Sequence, residues 1–118
     1  MAKSVIHLFH GDEDSLQAGS HVAERVRQVA GEQGIELEVF CFGPAQSALT
    51  KSDQSKVFEE YNEQIDQLVA AGVSVSACLN AARANGTEAA LEARGITLQF
   101  ARDAYARYAL EGATVINF

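Results

Sequence analysis

The feature that most constrains the fold is the alternation of short apolar segments with longer segments of helical periodicity. Five apolar segments are predicted to be β-strands: SVIHLF (4–9), IELEVFCF (35–42), VSVSA (73–77), ITLQF (96–100) and ATVINF (113–118). Strands separated by helices pair in parallel through crossover connections, and a parallel sheet is covered by helices on both faces. The sequence therefore predicts an α/β fold, a three-layer α/β/α sandwich with a five-stranded parallel sheet.

Two long helices are expected between these strands. Val22, Val26 and Val29 are spaced four and three residues apart, which predicts the buried stripe of one helix. A second helix is predicted over residues 54–71. The polar stretch before it, residues 45–56, is longer than a usual tight connection, and it predicts either a binding loop or an additional helical turn.

Length and charge limit the classes of protein that the chain can represent. Its 118 residues and 12.6 kDa suffice for a single domain, predicted to span residues 1–118. Nine Lys and Arg residues against sixteen Asp and Glu residues give a net charge of −7. A chain of this charge is repelled by phosphate backbones and by anionic lipids, so we expect no nucleic-acid partner and no membrane partner.

Cysteine content and hydropathy indicate the compartment. The two cysteines, Cys41 and Cys78, are too few for a disulfide framework or a four-thiolate zinc site. The apolar segment near the N-terminus is too short and polar for a signal peptide, and no later segment has the length and apolarity of a membrane span. These features predict a cytoplasmic protein whose cysteines remain thiols.

Parallel strands end at one edge of the sheet, where the ligands of α/β proteins bind. On the predicted topology this edge carries His10, Gly43, Cys78 and Phe100. Cys78 stands between a strand and a helix, where free N–H groups and the helix dipole favour the nucleophilic thiolate. Asn80 is placed to hydrogen-bond that sulfur or a group bound to it. A buried structural cysteine is the alternative interpretation, because cysteine is among the most buried residue types.

The other cysteine, Cys41, lies between Phe40 and Phe42 in a predicted strand. This position favours burial in the sheet. Pairing with Cys78 remains open if the two strands are adjacent, although no Cys-x-x-Cys motif is present.

The acidic segment HGDED, residues 10–14, follows the first strand, and His7 within that strand is expected to be a buried histidine with satisfied hydrogen bonds. His10, Asp12 and Glu13 are residue types that ligate divalent metals, and His10 with Asp12 can also form an acid–base pair. Acidic residues here are equally typical of a helix start. Phosphate-binding loops have glycine, serine or threonine at this place, so three carboxylates argue against a nucleotide-binding domain.

Four segments together resemble the DsrE/DsrF-like family of small intracellular sulfur-relay and sulfur-oxidation proteins. They are VIHLFHGDED, VFCFGPAQSAL, GVSVSACLNAARANG and GITLQFARDAYARYALEGATVINF, and they cover nearly the whole chain in the order of the family. The resemblance implies a parallel five-stranded sheet flanked by helices. It also implies a homo-oligomer, commonly a trimer or hexamer.

In sulfur-carrying members of this family, a cysteine after the third strand holds sulfur as a persulfide and passes it to a partner protein. Cys78 occupies that position here, and Asn80 also matches the family pattern. The resemblance therefore implies a sulfur carrier or sulfurtransferase that uses a sulfur donor and an acceptor protein and needs no cofactor. In this interpretation His10 is placed to gate protons at the same edge, while the acidity of residues 10–14 argues against an anionic substrate.

Two other functions remain open from the residues alone. The chain can be a non-catalytic oligomeric module that binds a small ligand or a protein partner through the same edge and residues 44–56. This alternative predicts that replacing Cys78 with Ser leaves function intact. The second alternative is a metal-dependent site at His10, Asp12 and Glu13.

Overall fold

The computed structural model describes residues 2–51 and 55–118. The strands of this part of the chain are β1 Ala2–Leu8, β2 Ile35–Cys41, β3 Ser74–Cys78, β4 Thr97–Gln99 and β5 Thr114–Asn117. Its helices are α1 Glu13–Ala30, α2 Gly43–Ser47, α3 Lys56–Ala70, α4 Leu79–Asn85, α5 Glu88–Ala93 and α6 Ala101–Glu111. None of these helices combines the length and the apolar character that crossing a membrane requires.

The strands form one sheet in the order β4-β3-β2-β1-β5. Every neighbouring pair is parallel, which confirms the predicted α/β fold with a five-stranded parallel sheet. Cys41 lies opposite Ala77 in the register of β2 and β3, and His7 lies between Phe40 and Asn117 on the neighbouring strands. Because all strands run in the same direction, their carboxyl ends meet at one edge of the sheet.

The two faces of the sheet bury different amounts of apolar surface. The main core joins one face to α1 and α3, through Ile6, Leu8, Val39, Cys41, Val75, Ala77, Leu16, Ala23, Tyr61, Ile65 and Leu68. The smaller core joins the other face to α6, through Val5, Phe40, Cys78, Ala104 and Tyr108. Side chains alternate along a strand, so Ala77 and Cys78 point to opposite faces. Cys78 therefore lies on the face with less apolar cover.

The predicted stripe of α1 is only partly right. Val22 and Val26 pack against the main core, but Val29 is 46 % exposed, so its predicted burial is wrong. The buried residues of α1 are instead Leu16 and four small ones, Gly19, Ser20, Ala23 and Ala30. Small side chains let the helix approach the sheet closely, and a Cβ on Gly19 would collide with the side chain of Leu8.

The connection after β2 begins with α2, which is the additional helical turn that the sequence left open. Its first residue, Gly43, has a φ of +55°, and a Cβ there would lie 2.5 Å from the ring of Phe9. Residues 52–54, part of the predicted binding loop and the predicted start of the next helix, lie outside the described residues. In the described chain α3 begins at Lys56, with Ser55 at its N-cap.

Candidate functional site

The edge formed by the strand ends contains a cavity beside Cys78. Its volume is about 500 Å³, and the residues that line it are Phe42, Cys78, Asn80, Ala81, Phe100, Ala101 and Arg102. They come from the segments that follow β2 and β4, from the end of β3, and from the starts of α4 and α6. The structure thus brings together three residues that the sequence placed at this edge, Cys78, Asn80 and Phe100.

A second cavity, of about 590 Å³, lies between α1 and α3 and is lined by residues that include Asp14, His21 and Glu60. It is the larger of the two, but no cysteine and none of the predicted site residues lines it. We therefore place the candidate site at Cys78, where a nucleophilic atom borders open space.

The side chain of Cys78 is sheltered on one side and borders the cavity on the other. It is only 4 % exposed, because it packs into the smaller core with Phe40 and Ala104. Its backbone is extended, with φ −74° and ψ 122°, and its side chain makes no capping hydrogen bond to α4. β3 ends at Cys78 and α4 begins at Leu79, so the predicted transition from strand to helix is present.

A glutamine from α2 fixes the backbone of Cys78. Gln46 Nε2 donates to the carbonyl oxygen of Cys78, and the N–H of Cys78 donates to Gln46 Oε1, both at 2.9 Å. Gln46 is buried, so these hydrogen bonds are sheltered from water. Gln46 was not predictable as a site residue, because a glutamine in a polar segment carries no local signal of a long-range contact.

Two guanidinium groups flank Phe100 beside the cavity. Arg102 Cζ and Arg83 Cζ each lie 5.8 Å from the centroid of that ring. Each arginine also has a carboxylate neighbour, with Arg102 Nε 3.0 Å from Asp103 and Arg83 Nε 3.7 Å from Glu88. Among the described residues that line the cavity, Arg102 is the one with a charged side chain, and its carboxylate neighbour Asp103 is not part of the lining.

A chain of hydrogen-bonded side chains lies on the same face of the sheet. His7 Nδ1 is 2.7 Å from Asn117 Oδ1, and His7 Nε2 is 2.9 Å from the hydroxyl of Tyr105. An amide oxygen only accepts, so Nδ1 carries the proton and Nε2 accepts from Tyr105. Burial lowers the pKa of His7 although the hydrogen bond with Asn117 opposes this effect, so the ring is neutral near pH 7. The expectation of a buried, satisfied histidine is confirmed.

Tyr105 connects this chain to the surroundings of the cavity. Burial, together with the nearby Cys78, raises the pKa of the Tyr105 hydroxyl. Its ring lies 5.8 Å from the ring of Phe40 and 6.5 Å from that of Phe42, which lines the cavity. No local feature of the sequence pairs Tyr105 with His7, a strand residue ninety-eight positions away.

The acidic segment after β1 lies outside the Cys78 cavity. His10 is exposed and stacks edge-on against Phe9, at 5.2 Å between centroids. Asp12 is the N-cap of α1, and hydrogen bonds from Ser15 hold the pKa of its carboxyl below the usual value. Glu13 accepts a hydrogen bond from Ser55 at 2.9 Å. No group of three or more His, Cys, Asp or Glu residues in the described chain can hold a metal, so the structure does not support the metal-site alternative.

Neither His10 nor Gly43 lines the cavity. β2 separates β1 from β3, so the ends of β1 and β3 are about 10 Å apart at the usual strand spacing. His10, which follows β1, is on the far side of that gap. Gly43 follows the neighbouring strand, but the side chain at the cavity belongs to the preceding residue, Phe42.

Cys41 is a core residue, as expected. It is fully buried, and burial raises the pKa of its thiol to about 12, although a hydrogen bond from Tyr61 acts in the opposite direction. Cys41 belongs to the main core and Cys78 to the smaller core on the other face, and both are free thiols. β2 and β3 are adjacent, but Cys41 and Cys78 form no disulfide, because their side chains lie on opposite faces of the sheet.

Comparisons with known proteins agree with this architecture. The DsrE/DsrF-like family matches residues 3–118. The structure is similar to that of BT1422, a conserved protein of unknown function from Bacteroides thetaiotaomicron, with a TM-score of 0.78, 13 % identity, and coverage of 98 % of this chain and 94 % of that one. No curated protein matches the sequence.

Two further structures are similar over 100 % of both chains. One is MTH1491, a protein of unknown function from Methanobacterium thermoautotrophicum, with a TM-score of 0.72 and 21 % identity. The other is the ychN protein from E. coli, with a TM-score of 0.69 and 20 % identity. Since the family match spans nearly the whole sequence, this chain belongs to the DsrE/DsrF-like family, and the resemblance seen in its motifs is confirmed.

Proposed function

We propose that the protein carries sulfane sulfur as a persulfide on Cys78 and passes it to an acceptor protein. The observation that carries this proposal is the position of Cys78 on the wall of a cavity of about 500 Å³ at the ligand-binding edge of the sheet. Membership of a family with sulfur-relay members supports it. The reducing cytoplasm is the compartment in which such a thiol persists.

The transfer balances without an oxidant or a cofactor. The Cys78 thiolate attacks the sulfane sulfur of a donor, the sulfur–sulfur bond of the donor breaks, and its electron pair leaves with the former partner of that sulfur. A thiolate of the acceptor then attacks the outer sulfur of the Cys78 persulfide. That second step returns Cys78 to the thiolate.

The neighbouring residues have distinct roles in this proposal. Gln46 keeps the backbone of Cys78 in place through two hydrogen bonds, and Asn80 is the cavity residue that hydrogen-bonds the bound sulfur. His10 and Gly43, elsewhere along the same edge, belong to the surface that a docked acceptor covers rather than to the cavity.

We also propose that the chain forms a homo-oligomer, a trimer or a hexamer, through β5 and the neighbouring part of α6. Every residue of β5 is exposed, and this strand has only β1 as a neighbour in the sheet. Leu110 is 90 % exposed, and Val115 and Ile116 are exposed to about two-fifths. Exposed apolar side chains on an edge strand favour association with another copy.

Light scattering after size exclusion tests this assembly. Replacing Val115 with Lys lowers the measured mass toward that of a monomer, whereas replacing Val29 with Lys does not. Val29 is a matched control, because it is also a partly exposed valine but lies on α1, on the other face of the sheet. A wild-type protein that elutes as a monomer at micromolar concentration contradicts the assembly.

Mass spectrometry of the intact protein tests the sulfur-carrier function. After incubation with a persulfide donor, the wild-type protein and Cys41→Ala gain the mass of one sulfur atom, and Cys78→Ser does not. The Cys41 variant is the matched control, because its thiol is buried in the main core. A reduced wild-type protein that gains no sulfur, or a Cys78→Ser variant that retains full function in cells, overturns the proposal and favours the binding module.

A further inference from the structure

The residues around the Cys78 cavity indicate what kind of sulfur donor it accepts. In a chain with sixteen acidic and nine basic residues, the cavity is lined by one cation, Arg102, and by no carboxylate. A second cation, Arg83, lies on the ring of Phe100 at the same 5.8 Å as Arg102. Arg102 thus lines the cavity, and Arg83, which is not part of the lining, lies close to it beside the ring of Phe100.

We propose that this cavity selects a small anionic sulfane-sulfur compound, and that Arg102 and Arg83 bind its negative group. This inference rests on the proposed function, because it names the class of donor that Cys78 attacks. The shared chemistry is an anionic oxygen group attached to a transferable sulfur. Thiosulfate and a carboxylate-bearing persulfide are the two sources of that chemistry.

The arginines are available for such a ligand. The carboxylates of Asp103 and Glu88 approach the guanidinium groups of Arg102 and Arg83 at Nε, at 3.0 and 3.7 Å. The side chains of all four are between 43 % and 83 % exposed. Exposed ion pairs contribute little stability, so exchanging a carboxylate neighbour for a ligand anion costs little. The terminal nitrogens remain for the paired oxygens of the ligand.

The shape of the cavity fits a small molecule. A volume of about 500 Å³ lies within the range of small-ligand sites. Its other walls are apolar, formed by Phe42, Phe100, Ala81 and Ala101. Because these walls carry no charge, Arg102 is the lining residue that attracts an anion to the cavity. The ring of Phe100 holds the cations in place through cation–π contacts.

The acidic segment of residues 10–14 lies apart from the cavity. The carboxylates of residues 10–14 argued against an anionic substrate, but none of them lines the cavity. Asp12 caps α1 and Glu13 is bonded to Ser55. The negative charges of Asp12 and Glu13 therefore lie near the end of β1, away from the cavity at the end of β3.

The step at Cys78 balances for both donors. With thiosulfate, the Cys78 thiolate attacks the outer sulfur, the sulfur–sulfur bond breaks, and sulfite leaves with the electron pair. With a carboxylate-bearing persulfide, the same attack releases the corresponding thiolate. In both cases the arginines bind the part of the donor that leaves, and no additional oxidant or reductant is consumed.

Alkylation with a matched pair of reagents tests the anion preference directly. Iodoacetate and iodoacetamide are similar in size and attack the same thiolate, so the ratio of their rates on Cys78 cancels changes in the thiolate fraction. We expect Arg102→Gln combined with Arg83→Gln to lower the iodoacetate-to-iodoacetamide ratio by roughly fivefold, the size of a partly screened charge interaction. Arg25→Gln combined with Lys56→Gln, at exposed positions of α1 and α3, removes the same two charges away from the cavity and leaves the ratio unchanged.

Added salt and a comparison of donors complete the test. In the wild-type protein the iodoacetate-to-iodoacetamide ratio falls as the salt concentration rises, because screening weakens the attraction of the arginines for iodoacetate.

Sulfur loading of Cys78 from thiosulfate and from cysteine persulfide then shows which anion is used, with a neutral persulfide ester as reference. An alkylation ratio that is the same in the double arginine variant and the wild type overturns the inference. Loading from the neutral ester at the same rate as from both anions also overturns it, while leaving the carrier function intact. If no donor loads Cys78 but the ratio responds to the arginines, the carrier function fails and the anion site stands.

Discussion

Replacing Glu38 with Gln is expected to destabilise the protein strongly, because this carboxylate is the centre of a buried ionic network. Glu38 is 3 % exposed on β2 and accepts hydrogen bonds from Arg107 and Tyr108 of α6. Lys3 Nζ lies 2.9 Å from Glu38 Oε1, and Gln99 Nε2 lies 3.4 Å from Oε2. The network joins α6 to β1, β2 and β4, so it holds in place the helix that carries Arg102.

The pKa of Glu38 gives the size of the effect. Burial by itself raises the pKa of this carboxyl, but the hydrogen bonds from Arg107, Tyr108 and Lys3 outweigh burial and lower it from 4.5 to about 2. Each pH unit between the two values corresponds to about 1.4 kcal/mol, so the ionised form contributes about 3 kcal/mol. Loss of one partner from a buried ion pair costs a similar amount. A domain of this size loses roughly 10–15 °C of melting temperature with 3 kcal/mol.

The sign of the pH dependence follows from the lowered pKa. The contribution of Glu38 is fully present above pH 4.5 and is lost as the pH falls toward about 2, because protonation removes the charge that Lys3 and Arg107 bind. Urea unfolding of wild type and Glu38→Gln at pH 7 and at pH 3 measures the difference. Glu36→Gln is the matched control, because its side chain is 56 % exposed in the same strand and lies 3.5 Å from Lys3. The reasoning is refuted if Glu38→Gln unfolds like Glu36→Gln at pH 7, or if its deficit is undiminished at pH 3.

Three further outcomes are expected. Mass spectrometry after a short pulse of iodoacetamide finds no label on Cys41 in the native protein and full label in denaturant. The reason is that the Cys41 thiol is fully buried and burial raises its pKa to about 12. Labelling of Cys41 in the native protein would contradict its burial in the main core. Thermal unfolding shows that Gly43→Ala is destabilised by about 2 kcal/mol, because Gly43 has a positive φ and a Cβ there meets the ring of Phe9. Gly31→Ala is neutral or slightly stabilised, since Gly31 has a φ of −59° and no atom lies within 4 Å of a Cβ there. Equal effects of the two substitutions would contradict the predicted steric conflict at Gly43. The free energy of unfolding falls as the pH drops below the usual histidine pKa of 6.5, because the lowered pKa of His7 favours the neutral ring in the folded state. A His7→Gln variant whose stability falls as much as that of the wild type between pH 7 and 5 contradicts this prediction.

The order of strands and helices was predictable from the sequence because it depends on local periodicity. Apolar segments of strand length alternate with glycines and with segments of helical periodicity, and this order predicts a parallel sheet without knowledge of the side-chain packing. The same reasoning placed Cys78 at the end of β3 and at the start of α4, which the structure confirms. The burial of Val29 was mispredicted, because the fully buried side of α1 includes Gly19 and Ala23, while Val22 and Val26 are only partly buried beside them.

The composition of the cavity depends instead on which strands are neighbours and which face each side chain takes. A linear sequence shows that His10 and Cys78 both follow strands, but not that β2 lies between those strands. Arg102 lines the same cavity as Cys78, and Gln46 hydrogen-bonds the Cys78 backbone, only through the folded positions of α6 and α2. No periodicity within either segment encodes that contact.

We expect the stability of α6 to affect the reactivity of Cys78, because the residues that attach this helix and a residue that lines the cavity belong to the same helix. Arg107 and Tyr108 attach α6 to the buried carboxylate of Glu38, while Arg102 on the same helix lines the cavity. Between them Tyr105 bonds to His7 and lies close enough to Cys78 for that group to raise its pKa. A change at Glu38 that loosens α6 should consequently alter the iodoacetate-to-iodoacetamide ratio at Cys78, even though Glu38 does not line the cavity. The Glu36→Gln control leaves the helix attached, so it should alter neither the stability nor that ratio.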